Sequence, residues 1–125
     1  MYTKEQIEAT WCACLLEGEG WIVCKRAPRK NGRGVWSLCN IIKIEINSSD
    51  FAYIKRVELF HPNPQRKLLL KKPRLTEKGT MTKPQLRYTL NGKEVYKFIK
   101  KIFPFMTPNT PRFQVAEKII NHYEL

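Results

Sequence analysis

One segment near the start of the chain is bounded so sharply that it can form little except a helix. Thr3 and Gln6 have the spacing of a capping box, in which the threonine hydroxyl accepts from the backbone and the glutamine side chain reaches back. Residues 4–17 then contain neither glycine nor proline, and the run stops at Gly18-Glu19-Gly20. The sequence therefore predicts a helix over residues 4–17 that ends at these glycines.

The rest of the chain predicts a mixture of strands and helices. Ile42, Ile44 and Ile46 alternate with Lys43 and Glu45, and this two-residue period puts the isoleucines on the core face of a strand. Residues 27–34 are a basic loop or turn with one proline and two glycines. We therefore expect one α+β domain, residues 1–125, in the order α-β-β-α-β-β-α-α, with strands at 21–26, 35–47, 66–72 and 85–90 and further helices at 51–60, 93–103 and 112–123.

The charge of the chain indicates a polyanionic partner. The formal net charge is +12, and it is concentrated in two tracts. Residues 20–44 contain six basic side chains and no acidic one, while residues 66–87 contain eight basic side chains against Glu77 alone. A solvated surface that serves only solubility is the alternative, but nucleic acid is the commonest partner of such tracts. No apolar run approaches the ~18 residues of a membrane-spanning helix, which argues against a membrane protein.

The cysteines indicate a reducing compartment. Cys12, Cys14, Cys24 and Cys39 are unevenly spaced, and the first residues lack the basic-then-apolar pattern of a secretion signal. We therefore expect reduced, mostly buried thiols and an intracellular protein, in the cytoplasm of a microbe or in an organelle. A tetrahedral zinc site is disfavoured, since no second close pair of ligands follows the first.

Two features of the first helix are unusual. Ala9, Cys12 and Ala13 are small and share one side of the helix, so that side would admit a second helix at short distance. The helix also ends in Glu17 and Glu19, although acidic side chains are unfavourable at the negative end of the helix dipole. A carboxylate beside exposed carbonyl oxygens is a site for a hard cation; the alternative is two solvated glutamates next to a glycine cap.

The same residues resemble the LAGLIDADG motif of homing endonucleases. Cys12 to Gly20 spans the nine positions of that motif; three residues match directly, four are close variants, and two cysteines replace the usual Leu and Gly. The predicted order of elements is also similar to that of the family domain. The direct matches are Ala13, Leu15 and Gly20, the variants are Leu16, Glu17, Gly18 and Glu19, and the replacements are Cys12 and Cys14.

The resemblance implies a Mg²⁺-dependent (or Mn²⁺-dependent) nuclease. A single motif is typical of members that act as homodimers through the motif helix, where Ala9, Cys12 and Ala13 would lie. Glu19 would bind the catalytic Mg²⁺ together with the carbonyl of Gly18, while Glu17 is more often structural in the family. A polar residue after the second strand, which falls at Asn47 or Ser48, would orient water, and Arg112 would replace a lysine that stabilises phosphate charge. The predicted catalytic residues are Glu19, Ser48 and Arg112.

The resemblance also implies that the strands form a saddle-shaped antiparallel sheet in the major groove of double-stranded DNA, on a long, near-palindromic site. Alternate strand residues would then face base edges, where Arg or Lys pairs with guanine and Gln with adenine, while other cations hold phosphates. The predicted DNA contacts are Lys25, Arg29, Lys30, Arg33, Lys43, Glu45, Arg66, Lys67, Gln85 and Arg87.

Two other functions stay open from the sequence. Some relatives in the family keep the fold as non-cleaving DNA-binding proteins or splicing cofactors, and the presence of only Arg112 near the start of the last helix fits such a protein too. An RNA-binding module is the third hypothesis, and it would need exposed aromatic side chains arranged so that RNA bases can stack on them. Trp21, Trp36 and Tyr53 are better explained as core residues or residues that flank the motif.

Overall fold

The computed structural model describes residues 1–124 and has an α+β fold, as the sequence predicts. Helix α1 (Lys4–Glu19) is followed by strands β1 (Gly20–Lys30) and β2 (Trp36–Ser48), helix α2 (Phe51–Phe60), and strands β3 (Leu69–Lys71) and β4 (Gln85–Asn91). Helix α3 (Lys93–Ile102), a 3₁₀ turn (Phe103–Phe105) and helix α4 (Pro111–Glu124) complete the chain. None of the helices within residues 1–124 is long and apolar enough to cross a membrane.

The four strands form one antiparallel sheet in the order β1-β2-β4-β3. The predicted alternation in β2 is confirmed, because Ile42, Ile44 and Ile46 are buried against the helices. Their buried neighbours come from α1, α2, α3, α4 and β4, and together they form one continuous core. Within residues 1–124 the buried residues of the helices all join this core, and on the opposite face most side chains are exposed or half-buried, with Thr89 as the buried exception.

Helix α1 begins as predicted and ends later than predicted. The Thr3 hydroxyl accepts from the backbone N–H of Gln6 at 3.1 Å, and the Gln6 side chain accepts from the Thr3 N–H at 2.9 Å. The helix continues through Gly18 to Glu19, two residues beyond the predicted end, and the N–H of Gly20 donates to the Leu16 carbonyl. A Cβ at Gly20 would lie 2.8 Å from that carbonyl oxygen, so only glycine permits this exit from the helix.

Two strands differ from the prediction for physical reasons. β1 reaches Lys30, through the predicted loop, because it is an edge strand and Pro28 can occupy a position where no N–H is needed. β3 covers only Leu69–Lys71, although the sequence favours residues 66–72. The Gln65 side chain accepts from the N–H of Asn91 at 2.9 Å and donates to its carbonyl at 2.8 Å. The side-chain amide of Gln65 thus makes with the backbone of Asn91 the two hydrogen bonds that the backbone of a longer β3 would make there.

Candidate functional site

The end of α1 exposes a carboxylate that the subunit itself does not use. Glu19 is the last residue of the helix and is exposed, and among residues 1–124 no hydrogen bond or salt bridge involves its carboxylate. Gly18 is also exposed, and its carbonyl belongs to the last turn, where helical carbonyls lack intrahelical partners. Carboxylate and carbonyl oxygens are the donors that Mg²⁺ prefers, and Mg²⁺ usually retains several waters beside one or two carboxylates. Glu19 and Gly18 therefore fit the predicted metal chemistry.

Glu17, the other acidic residue of the motif, has a structural contact. Its two carboxylate oxygens accept from the backbone N–H and the hydroxyl of Thr107, at 2.7 and 2.8 Å. Thr107 lies in the segment between the 3₁₀ turn and α4, so Glu17 joins the end of α1 to the start of the last helix. The two acids, two residues apart, consequently have different tasks.

Arg112 supports the same end of α1 from the last helix. Its Nε and Nη2 atoms donate to the carbonyl of Gly20 at 3.2 and 3.1 Å. The last turn of α1 contains no basic residue, so this guanidinium provides positive charge at the negative end of the helix dipole. Arg112 therefore lies close to Glu19 in the fold, although the two are far apart in sequence.

Ser48 points into the core and away from the outer face of the sheet. Ser48 lies on the core face of β2 with 6% of its surface exposed, and its hydroxyl accepts from the N–H of Asp50 at 3.0 Å. The prediction of a catalytic role for Ser48 is not supported by this position, because strand residues alternate between faces. Asn47 points to the outer face, and since Gly20 pairs with Ile46, Asn47 lies at the end of β2 nearest the start of β1.

The outer face of the sheet carries most of the predicted DNA contacts. In the observed register Val23 pairs with Lys43, and Asn47 pairs with Arg87, on the face opposite the buried isoleucines. Lys30 belongs to the other face of β1, Arg33 lies in the turn before β2, and Arg66 and Lys67 precede β3. The predicted contacts that share the outer face are Lys25, Arg29, Lys43, Glu45, Gln85 and Arg87.

A polar network occupies the middle of this face. The Glu45 carboxylate lies 3.7 Å from Lys43 Nζ and 3.6 Å from Arg87 Nε, and it accepts from Asn47 Nδ2 at 3.4 Å. Arg87 Nε donates to Asn47 Oδ1 at 2.9 Å. Lys43 Nζ also lies 5.9 Å from the centre of the Trp21 ring. The network therefore orders side chains from three strands on the uncovered face.

The positive charge is separated from the helices. Helices α1 to α4 carry nine basic and eight acidic side chains, whereas the strands, loops and turns carry fourteen basic and three acidic ones. Of those three acids, Asp50 caps α2 and Glu77 lies in the loop between β3 and β4. Nearly all of the net charge of +12 therefore belongs to the sheet and its connections, a distribution typical of proteins that bind polyanions.

The predicted dimer interface is corrected by the structure. Ala9, Cys12 and Ala13 are 3%, 0% and 0% exposed, so they pack inside the subunit and cannot meet a second copy. Burial raises the pKa of the Cys12 thiol to about 12, as expected for a neutral core residue. The sequence indicated correctly that small residues allow close packing, but they serve the core of the subunit.

The opposite side of α1 is the one left uncovered. Ile7, Thr10, Cys14 and Gly18 are exposed and follow one side of the helix at spacings of three and four residues. A Cβ at Gly18 would meet nothing within 4 Å, so the subunit itself does not require glycine there. Glycine inside a helix costs about 0.5–1 kcal/mol relative to alanine, and the fold of the subunit offers no compensation.

Comparison with solved structures shows which known proteins share this fold. No protein-family model and no curated relative matches the sequence. The homing endonuclease I-CvuI in complex with a DNA target superposes with a TM-score of 0.64 at 10% identity, covering 96% of this chain and 68% of that one. The group I intron-encoded homing endonuclease I-CeuI, complexed with DNA, gives 0.59 at 13% identity, covering 100% of this chain and 56% of that one.

A third solved structure belongs to a protein of the family that the motif resembles. The LAGLIDADG homing endonuclease I-LtrWI, bound to target DNA, gives a TM-score of 0.58 at 11% identity, covering 97% of this chain and 39% of that one. The chain thus spans between about two fifths and two thirds of these neighbours, and it has the fold of LAGLIDADG homing endonucleases over nearly its full length. The predicted resemblance is confirmed at the level of the fold.

Sequence reasoning missed the Glu17–Thr107 contact and the network around Glu45. The Glu17–Thr107 contact joins residues ninety positions apart, and no local sequence pattern predicts such a pair. The second could have been found in part, because Lys43, Glu45 and Asn47 share one face of a strand. Their link to Arg87 depends on the pairing of β2 with β4, which the sequence does not specify.

Proposed function

We propose that this protein is a site-specific DNA endonuclease that acts as a homodimer and cuts both strands of double-stranded DNA inside cells. The observation that carries the proposal is the combination of an uncovered, positively charged sheet with an unused carboxylate, Glu19, at the helix end beside it. The fold, shared with homing endonucleases that bind DNA, supports the same conclusion.

Binding would use the outer face of the sheet. Antiparallel strands fit the width of the major groove, and their alternating side chains reach base edges, while cations in the flanking loops meet phosphates. A small concave surface between the end of β3 and the start of β4 supports this division, since its lining includes four basic residues and no acidic one. The basic residues are Lys71, Lys72, Arg74 and Lys83.

Dimer formation would use the exposed side of α1. Ile7, Thr10, Cys14 and Gly18 offer a smooth, uncharged surface, and the absence of a side chain at Gly18 lets a second helix approach closely. A shallow groove lined by Tyr2, Trp11 and Phe105 continues this surface toward the start of the helix. Two subunits related by a twofold axis would bring two copies of Glu19 together, one for each DNA strand.

Cleavage would depend on a divalent cation held by Glu19 and the Gly18 carbonyl. Such a cation supplies the means to activate water and to neutralise charge on the leaving oxygen of a phosphodiester. The chain's own residues hold and orient the site: Arg112 donates to the carbonyl of Gly20, and Glu17 holds the segment before α4 through Thr107.

The non-cleaving DNA-binding protein is the second candidate. One observation favours it: two donors of Arg112 are already engaged by the Gly20 carbonyl, and no lysine takes the place of the residue that the resemblance implies near the start of α4. Such a protein would need neither Mg²⁺ nor Glu19.

One experiment separates the two functions. The wild-type protein and Glu19→Gln are incubated with a library of randomised duplexes in Mg²⁺, and bound duplexes and cut ends are sequenced. We expect Mg²⁺-dependent double-strand cuts by the wild type, and from Glu19→Gln a loss of cutting by at least a hundredfold with binding kept or strengthened, because one negative charge per subunit is removed. The matched control is Glu17→Gln, which keeps an oxygen for Thr107 and should still cut.

The outcomes are distinct. Cutting by Glu19→Gln near the wild-type rate would show that Glu19 does not hold the catalytic metal. Selective binding without cutting by the wild type in either Mg²⁺ or Mn²⁺ would identify the protein as the non-cleaving candidate.

A further inference from the structure

Arg87 is the basic side chain of the sheet that the fold holds most firmly. Its Nε donates to Asn47 Oδ1 at 2.9 Å, and the Glu45 carboxylate lies 3.6 Å from the same nitrogen. Only 26% of the side chain is exposed. Lys25 and Arg29, on the same face of β1, have no side-chain hydrogen bond or ion pair among residues 1–124. The fold therefore fixes one guanidinium in place and leaves these other cations free to move.

The contacts of Arg87 leave the two terminal nitrogens of its guanidinium available to a ligand. Within residues 1–124 no hydrogen bond is made by either terminal nitrogen of the guanidinium, since the bond to Asn47 uses Nε. The two terminal nitrogens form a planar fork that pairs with two acceptors at once. In the major groove the matching pair of acceptors is O6 and N7 of guanine.

The place of Arg87 in the sheet favours bases over phosphates. β4 lies between β2 and β3, so Arg87 lies inside the ladder, between Asn47 and Leu69, and away from its edges. Residues in the middle of a ribbon that enters the major groove face the floor of the groove, where the base edges lie, while loops at the rim face the phosphates.

The presence of an acidic residue, Glu45, on this positively charged surface also needs an explanation. It is the one acidic residue in the four strands, and next to DNA it would repel phosphates and weaken binding. A carboxylate that holds an arginine in one rotamer offsets that cost, because the guanidinium then loses less entropy when it pairs with a base.

We infer that Arg87, held by Glu45 and Asn47, determines specificity by reading one guanine in each half-site of the duplex. The inference rests on the proposed function only for binding to double-stranded DNA; cleavage is not needed. Arg87 is the specificity-determining residue, and Glu45 and Asn47 are positioning residues that act through it.

The test compares base preference and salt dependence for Arg87→Gln and for Arg74→Gln, an exposed arginine of the β3–β4 loop that has no side-chain hydrogen bond among residues 1–124. Preferred duplexes are first selected with the wild type in Ca²⁺, which avoids cutting. Arg87→Gln should lose at least tenfold in affinity for the selected site, accept all four bases at one symmetric pair of positions, and keep the wild-type salt slope. Arg74→Gln should weaken binding to every duplex equally and lower the slope of log K against log salt by about 2 per dimer.

A second variant guards against misfolding and tests the positioning. Glu45→Gln keeps the Arg87 side chain but removes the carboxylate that holds its rotamer, so it should strengthen binding to random duplexes while it reduces the preference for guanine at the same positions. Substitution of that guanine by 7-deazaguanine, which lacks the N7 acceptor, should weaken the wild type severalfold and leave Arg87→Gln unaffected.

The inference is overturned if Arg87→Gln, folded by circular dichroism, selects the same guanine as the wild type, or if it lowers the salt slope as Arg74→Gln does. It is also overturned, together with the proposed function, if the wild type selects no duplex at all. Selective binding by the wild type with an unchanged preference in Arg87→Gln would overturn the inference alone.

Discussion

At the scale of single residues, position within an element decides what each polar group does. Glu17 and Glu19 differ by two residues, yet Glu17 is bound by Thr107 and Glu19 is exposed at the helix end. Ser48 and Asn47 are adjacent, yet the strand turns one toward the core and the other toward the uncovered face. A residue type alone would not distinguish the members of either pair.

His61 provides a prediction at this scale. It is 5% exposed, its Nδ1 accepts from Lys101 at 2.9 Å, and its Nε2 donates to Glu94 at 3.1 Å. Burial, with the nearby Lys101, holds the pKa of His61 below its usual value, although Glu94 opposes the shift. Below pH ~6.5 the unfolded chain therefore binds a proton here that the folded chain does not, and the free energy of unfolding falls as the pH is lowered through the folded pKa.

Urea unfolding between pH 7.5 and 5 checks this dependence. We expect the wild type to lose stability across this range and His61→Gln to lose less, while His122→Gln, at an exposed histidine of α4, should follow the wild type. If the free energy of unfolding of His61→Gln falls with pH as steeply as that of the wild type, the pH dependence comes from other groups.

At the scale of elements, α1 has two faces with different tasks. Its buried face packs Ala9, Cys12, Ala13, Leu15 and Leu16 into the core, and its other face is uncharged and exposed. The hydrophobic residues of the helix are consequently spread around its axis, which is unusual for a helix with only one packed side. The second copy that we propose on the exposed face would account for this distribution.

Adjacent substitutions on α1 should therefore have opposite effects. Cys14→Arg places a charge on the exposed face, so the protein should keep a native circular dichroism spectrum and sediment as a monomer. Ala13→Arg forces the same side chain into a position that is 0% exposed, and we expect it to unfold the subunit, at a cost of about 4 kcal/mol or more. Sedimentation velocity of both variants checks this; a Cys14→Arg dimer would place the interface elsewhere.

At the scale of the whole molecule, the proposed binding of DNA depends on the separation of positive charge from the helices. A complex with six to ten phosphate contacts loses about 10³–10⁵ in affinity between roughly 50 and 200 mM salt. The sheet and its loops supply fourteen basic side chains per subunit, so we expect a loss of at least about a thousandfold in this range.

The symmetry of the proposed dimer adds a second expectation. Two subunits related by a twofold axis should select a near-palindromic site of two half-sites, each of about ten base pairs. Fluorescence titration at several salt concentrations and selection from random duplexes measure the two properties. A shallow salt slope, or a short asymmetric site, would contradict the expected mode of binding.

The sequence by itself determined much of the local structure and the distribution of charge from which a polyanionic partner is predicted. The capping box at Thr3 and Gln6, the alternation in β2 and the position of α2 follow from short-range rules, and the charge tracts follow from composition. The motif from Cys12 to Gly20 was sufficient to indicate the fold. These features are readable because the backbone period and the local hydrogen bonds depend on neighbours within about four residues.

Only the tertiary structure decided which side of each element meets the core. Small residues at Ala9, Cys12 and Ala13 suit a partner helix or the subunit's own core equally well, and the pairing of α1 with β1, β2 and α3 selected the core. Thr107 reaches Glu17 and Arg87 reaches Asn47 through the packing of α4 and the pairing of β4 with β2. These contacts join distant segments, so their existence depends on the whole fold and no local pattern in the sequence encodes them.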